Sequence, residues 1–402
     1  MFAPGEILCL SALVHGGARR RPPSGLAVSA LMARIEDYAL LGDLQTGALV
    51  ATTGSIDWLC FPRFDSPACF AALLDTPDAG HWQLAPAAGG TCTSRRYVKD
   101  TLILHTDWVT PEGTVRVIDF MPPRGHAPDV VRIVEGISGS VQIRSTLRLR
   151  FDYGHIVPWV RRRGDQVVAV AGPDTVRLRT PAPTEGEEYS TVSEFVVNAG
   201  DRVPFVMTWH ASHEHPPKLI DAEDALADTH TFWTRWSARG TPVSGKYKEA
   251  IKRSLLTLKA LTYQPTGGIV AALTTSLPEQ IGGPRNWDYR YCWLRDSSYT
   301  LQALLAAGYV QEAKAWREWL LRAVAGDPAQ LQIMYSWTAR GGSRNTNCHG
   351  WPATKTPAPS GSATPPPTNS NSTSGAKPWT AWPWPAKPKS PPTTTPGTCR
   401  SP

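Results

Sequence analysis

The hydrophobic pattern changes its period near residue 212, and that change confines the chain to a β part followed by a helical part. Between residues 35 and 210 short apolar runs are broken every few positions by turn residues, the pattern of strands joined by tight turns. Residues 48–50 and 56–61 flank Thr53-Gly54-Ser55 and predict a hairpin. Residues 102–109 and 115–121 flank Pro111-Glu112-Gly113 and predict a second one, although Val115, Val117 and Asp119 alternate only partially with Arg116, Ile118 and Phe120. Further strands are expected over 130–134, 141–151, 166–170, 175–179, 191–197 and 202–210. With no long helix between them, these strands suit an antiparallel sandwich or barrel rather than a βαβ sheet.

Beyond residue 212 the period lengthens. Asp221 is placed to cap a helix carrying Leu226, His230, Trp233 and Trp236 at three- and four-residue spacing, ended near Gly240. Tyr247, Ile251, Leu255, Leu258 and Leu261 mark a second amphipathic helix. Two more are expected over 296–307, closed by Gly308, and over 310–325, closed by Gly326-Asp327-Pro328. The organisation expected is therefore a disordered extension (1–31, with Met32 as the start), a β domain (32–212), a helical linker (213–245), the beginning of a helical domain (246–335) and a tail (336–402).

The formal charge of +7 suggests nucleic acid until its location is considered. Residues 336–402 hold seven Lys or Arg and no Asp or Glu, residues 1–31 are net +2, and residues 32–335 are net −2. A basic binding face on the folded body is thereby excluded. The tail also holds 14 of the 37 prolines and five tryptophans with no apolar stripe, so it is expected to be disordered. It is read as out of frame from about Tyr335, the alternative being a Pro/Thr-rich tether. The seven cysteines form no C-x-x-C pair and have no histidines at zinc spacing, which points to thiols in a reducing compartment. No apolar run reaches the roughly 18–20 residues of a membrane span, and Glu6 precedes the short run 7–14 where a signal peptide needs positive charge. The cytoplasm is the expected location. Oligomeric state leaves no signature.

The chemistry concentrates in Asn286-Trp287-Asp288-Tyr289-Arg290-Tyr291-Cys292-Trp293-Leu294-Arg295-Asp296, directly before a predicted helix. Flat C–H faces of a pyranose pack on aromatic rings, while its hydroxyls need the paired donors and acceptors of Arg and Asp. Asp296 at a helix start would be held ionised by backbone N–H groups. A buried aromatic cluster with a structural Arg–Asp pair would give the same composition, and the residues alone leave both readings open.

This eleven-residue stretch resembles the signature of family 15 glycoside hydrolases, at the head of their (α/α)6 barrel. The preceding Ser276-Leu277-Pro278-Glu279-Gln280-Ile281-Gly282-Gly283 and the earlier Gly54-Ser55-Ile56-Asp57-Trp58-Leu59-Cys60-Phe61-Pro62-Arg63-Phe64-Asp65-Ser66-Pro67 are similar to the bacterial branch of that family. The resemblance, over about residues 33–335, implies an N-terminal antiparallel β-sandwich followed by the beginning of that barrel. It implies that Arg295 and Asp296 bind the hydroxyls of the non-reducing glucosyl unit, that Tyr289 lies against the ring, and that Trp293 walls the subsite. Asp288 and Tyr291 are weaker candidates with scaffold roles as an equal alternative, and Glu279 is not expected to be the catalytic acid.

The family hydrolyses terminal α-glucosidic bonds with inversion, using an acid and a base about 6.5–9.5 Å apart. The resemblance assigns both to later loops of the barrel. Residues 246–335 suffice for about five of the twelve helices, at roughly 16–18 residues per helix and loop. The expectation is an α-glucoside partner (malto-oligosaccharide, starch-type glucan or trehalose), with glucoamylase-like specificity first and trehalase second. No catalytic carboxylates are expected in this chain, nor hydrolysis by it; a carbohydrate-binding remnant is the further alternative. No metal or organic cofactor is called for, and neither nucleic acid nor membrane is an expected partner.

Overall fold

The computed structural model describes residues 33–276, 287–326, 329 and 331–339. The extension, most of the predicted tail and Glu279 lie outside these described residues. The β part opens with β1 (Ala39–Gly42), β2 (Gly47–Val50), β3 (Ser55–Cys60), β4 (Ala68–Phe70), β5 (His81–Pro86), β6 (Thr91–Tyr97), β7 (Leu104–Thr110) and β8 (Gly113–Phe120). It continues with β9 (Asp129–Arg148), β10 (Trp159–Arg163), β11 (Gln166–Ala171), β12 (Asp174–Arg179), β13 (Glu185–Glu187), β14 (Ser190–Asn198) and β15 (Arg202–Ala211). Every pairing among them is antiparallel.

One strand belongs to both layers of the sandwich. The first half of β9 pairs with β8 and β15, in the sheet β6-β7-β8-β9-β15-β12-β11-β10; the second half pairs with β5 and β14, in the sheet β1-β2-β3-β5-β9-β14-β13. The two strands predicted at 130–134 and 141–151 are therefore one of 20 residues. Gly136-Ile137-Ser138-Gly139 bends the strand rather than reversing it. A side chain at Gly136 would strike the Asn198 carbonyl and one at Gly139 the Glu112 carbonyl, and Gly139 has φ +69°.

Burial of β9 follows from this position. Val130 and Val134 face the sandwich interior with Ile56, Trp82, Val117 and Phe205, while Val131 and Ile133 face outward. Arg132 lies between the inward valines, fully buried, and donates to Asp119 (2.7 Å) and to the carbonyls of Trp82 (2.7 Å) and Gly54 (2.7 Å). The incomplete apolar alternation of β8 thus has a cause: Asp119 points inward because it neutralises an arginine that ties one sheet to the backbone of the other.

Each outer face is covered. Asp221 caps α1 (Ala222–Ser237), its carboxylate accepting from the amides of Glu223 (2.9 Å) and Asp224 (3.1 Å). Ala222 and Ala225 then press onto Val131, Ile133, Ile118 and Phe120. The other sheet turns Trp58 and Cys60 toward the helical part, where they pack with Leu261, Tyr263, Ile269, Leu273, Cys292, Trp316 and Trp319. That part comprises α2 (Lys248–Ala260), α3 (Leu294–Ala306) and α4 (Val310–Ala323). The face of α2 that packs is Leu255, Leu256 and Ala260, and Ile251 stays exposed. Trp236 of α1 stacks on Tyr309 with centroids 4.1 Å apart and donates to Glu312, which also pairs with Lys259 (3.1 Å). The β-sandwich followed by helices agrees with the fold expected from the sequence. Among the described residues no helix is long and apolar enough to cross a membrane, and no group of three or more His, Cys, Asp or Glu could hold a metal ion.

Asp129, at the start of β9, is buried with its carboxylate accepting from the Thr208 hydroxyl. Burial pushes its pKa up from 3.8 to about 6, against the lowering effect of the Thr208 hydrogen bond. The folded state therefore holds a proton that the unfolded state loses between these two values, and stability falls as pH rises through that window. Asp129→Asn removes the cost of ionisation. Urea unfolding is expected to show the variant more stable than the parent by roughly 2 kcal/mol at pH 7.5, with the difference gone below about pH 4. A variant equally or less stable at pH 7.5 would contradict the assignment.

Candidate active site

Residues 287–291 run antiparallel against residues 271–276. Ser276 N–H donates to the Trp287 carbonyl (2.7 Å), Tyr289 N–H to Thr274 (3.0 Å), Ala272 N–H to Tyr289 (2.8 Å) and Ala271 N–H to Tyr291 (3.1 Å). Thr275 and Asp288 form a bridge, and the chain turns over Tyr289 and Arg290, yet burial alternates along the segment. Asp288, Arg290 and Cys292 are buried, whereas Trp287, Tyr289 and Tyr291 are half-buried. The usual assignment is inverted, with the charged residues inside and the aromatics facing outward.

The inward charges sit where they are fully partnered. Arg290 pairs with Asp288 through Nη2 (2.6 Å) and Nε (3.0 Å to one carboxylate oxygen), and its Nη1 donates to the Ser66 carbonyl of the sandwich (3.0 Å). Its guanidinium lies 5.4 Å from the Tyr153 ring centroid and 6.0 Å from that of Trp58. Burial alone would lower the Arg290 pKa, but the Asp288 charge and hydrogen bonds outweigh it and hold the guanidinium well above its ordinary value. The indole N–H of Trp58 donates to the Leu273 carbonyl (2.8 Å), fixing the other strand of the pair to the same sheet. Burial raises the thiol of the neighbouring Cys60 to about 11 despite Arg290, so it has no thiolate to act as a nucleophile at neutral pH.

On the outward side, Tyr289 meets Trp293 edge to face, with centroids 5.4 Å apart, and Trp287 meets Trp293 at 6.4 Å. The Trp293 ring is locked by its indole N–H donating to the Asp288 carbonyl (2.9 Å). Arg295 is 67% exposed; its Nη2 makes long contacts with the Tyr289 hydroxyl (3.4 Å) and the Asp296 carboxylate (3.2 Å). The Asp296 charge, with the Tyr289 hydroxyl, holds the Arg295 guanidinium above its ordinary value. Tyr289, Arg295 and Asp296 thus come together on one surface, with Trp293 buried beneath Tyr289 at 9% exposure. Asp288 lies beneath that surface in the ion pair, and Tyr291 joins the half-buried outward face.

Asp296 departs from its expected place. The helix begins at Leu294, with Trp293 in the cap position and no side-chain cap bond, so Asp296 is the third helical residue and its carboxylate goes to Arg295. Ser297 seats this turn by donating to the Ile269 carbonyl (3.0 Å). Two short strands close the motif from below, β16 (Cys292–Trp293) and β17 (Met334–Tyr335). Packing continues past Tyr335: the Trp337 carbonyl accepts from Trp319 Nε1 (2.9 Å) and Thr266 Oγ1 (2.7 Å), and its ring lies 4.3 Å from that of Tyr263. Cavities of about 480 and 1050 Å³ occur elsewhere, and neither has Tyr289 or Arg295 in its wall.

Arg290 and Trp58 are the residues that sequence reasoning did not single out. The signal for Arg290 was the alternation of Asp288, Arg290 and Cys292 with aromatics, a spacing that the burial follows although the chain turns at Tyr289 and Arg290. Removing either partner of the buried pair strands the other. Arg290→Met and Asp288→Asn are each expected to cost about 3–5 kcal/mol in urea unfolding, and the double variant less than the sum. Single costs under about 1 kcal/mol would show that the pair does not anchor the motif.

Comparisons with known proteins bear on the family and the fold. The model described as Glycosyl hydrolases family 15 matches residues 245–355, and that described as Trehalase-like, N-terminal matches residues 27–208. The trehalase of Mycolicibacterium smegmatis is 35% identical over 331 residues, covering 75% of this chain and 49% of its own. That of Mycobacterium tuberculosis is 34% identical over 331 residues, 75% of this chain and 48% of its own. That of Thermoplasma acidophilum is 33% identical over 271 residues, 66% of this chain and 46% of its own. The chain spans about half the length of the curated relatives it matches. A bacterial glucoamylase complexed with acarbose shares the fold, with a TM-score of 0.56 at 13% identity over 78% of this chain and 53% of that one. With its sandwich and its helical segment each matched in the expected order, the chain belongs to glycosyl hydrolase family 15.

Proposed function

We propose that Tyr289, Trp293, Arg295 and Asp296 form the glucosyl-binding half of an inverting α-glucosidase site, in which a terminal glucose packs on the aromatics and shares its hydroxyls with the Arg–Asp pair. The observation that carries this is the inverted alternation. A segment that buries Asp288 and Arg290 while leaving Tyr289 half-buried over the buried Trp293, with the largely exposed Arg295 beside it, spends its inner polar groups on anchorage and its outer ones on a partner. Sugars answer to that combination of flat apolar rings and charged donors. Curated relatives named trehalase favour trehalose as the substrate class over the glucoamylase-type substrates ranked first from sequence.

Hydrolysis with inversion needs an acid and a base about 6.5–9.5 Å apart on opposite faces of the sugar. The acids described from residue 246 onward do not supply them. Asp288 is held by Arg290, Asp296 by Arg295 and Glu312 by Lys259 and Trp236, while Glu249 and Glu318 are exposed on α2 and α4. On this reading the sandwich and first helices are scaffold and grip, and the 402-residue chain binds a glucoside without cleaving it. Isothermal titration with trehalose and maltose is expected to give a binding heat that Arg295→Ala abolishes, with no glucose released from either sugar over a day. Glucose release by the purified chain, or binding unchanged by Arg295→Ala, would overturn the proposal.

A further inference from the structure

Two edge strands of opposite charge open onto one groove in the side of the sandwich. Strand β10 ends its sheet, pairs with β11 alone among the described residues, and is exposed at all five positions. Strand β13 ends the other sheet, pairs with β14 alone among the described residues, and is exposed at all three. Both line the same cavity of about 480 Å³, whose walls include the apolar core residues Leu147, Val167, Val176 and Leu178. In its wall Tyr189 is 83% exposed, with Val157 and Val160 also exposed, while Trp159 of β10 lies outside the lining with the Arg161 guanidinium 5.6 Å from its ring centroid.

Charges on an edge strand usually just prevent unwanted pairing. Two features here go further. Exposed Tyr189, Val157 and Val160 line an apolar groove, an arrangement a lone domain gains nothing by keeping in water. The charges are also segregated by strand, with Arg161, Arg162 and Arg163 on β10 and Glu185, Glu187 and Glu188 on or beside β13. Glu187 is engaged by Arg144 of its own sheet, but Glu185 and Glu188 make no ion pair among the described residues. A small ligand of one charge does not fit a mouth with one lip of each sign. A second copy does. A two-fold rotation about an axis along the groove brings the basic lip of one copy onto the acidic lip of the other, twice, and Tyr189 of each against the apolar groove of its partner.

We propose that the face formed by β10, β13 and the groove between them is an isologous interface at which two copies of this chain pair. The test uses the full chain and two charge-reversal variants, Arg161→Glu/Arg162→Glu and Glu185→Arg/Glu188→Arg, in sedimentation velocity at low salt. The parent is expected to be dimeric, and each variant alone monomeric because both of its lips carry one sign. An equimolar mixture of the two is expected to form a heterodimer in which both contacts are again complementary, and 1 M salt should weaken all dimers. Misfolding would not be rescued by mixing. A monomeric parent overturns the proposal, including one whose groove instead takes up an acyl-chain fluorescent probe. So do variants that stay dimeric alone, or a mixture that stays monomeric.

Discussion

The buried pair between Asp288 and Arg290 is the constraint on which the candidate surface depends. Two charges can leave water only if their hydrogen bonds are completed inside, and here completion requires the sandwich: the Ser66 carbonyl receives the last guanidinium donor, and Trp58 and Tyr153 cover its faces. The pair therefore fixes where the motif strand lies and which way it faces. With Asp288 and Arg290 buried, the turn between them leaves Tyr289 and Tyr291 half-buried, and the Trp293 indole is held to the Asp288 carbonyl. Arg295 and Asp296 follow on the first turn of α3, beside Tyr289.

The sandwich is rigid where this anchorage needs it to be. Strand β9 stitches the two sheets into one body, and Arg132 crosses the interior to bind the carbonyls of Trp82 and Gly54. Gly54 ends the turn that launches β3, and β3 carries Trp58 and Cys60 to the helical part. A polar contact in the middle of the sandwich thus steadies the strand that receives the motif. Two arginines, each buried with its own aspartate, carry the connection from the interior of the sheets to the proposed binding surface.

Much of this was legible because local chemistry and global fold agree. The hairpin turning at Gly54 and the one at Pro111-Glu112-Gly113 form where turn residues separate apolar runs, and Asp221 caps α1 as its side chain suits it to do. Three features were not legible. The Gly136-Ile137-Ser138-Gly139 stretch reads as a turn, since nothing local says that its flanks belong to different sheets. The strands β10 and β13 lack apolar alternation because both lie on open edges, where every position meets water. Asp296 reads as a cap from its place ahead of an apolar run, but the helix starts two residues earlier, at Leu294, because Cys292 and Trp293 are held by pairing with Met334 and Tyr335. Of the candidate surface, the residue types were evident and their facing was not, since periodicity alone does not say which side of a segment is buried.

Hydrogen–deuterium exchange on the full chain carrying Arg290→Met tests the anchorage most directly. The account predicts that the amides of Ala271, Ala272, Ser276 and Tyr289 lose protection together, while Val131 and Phe205 in the sandwich keep theirs. Unchanged protection of those four amides would mean that the motif strand holds its place without the buried pair, and would contradict the account.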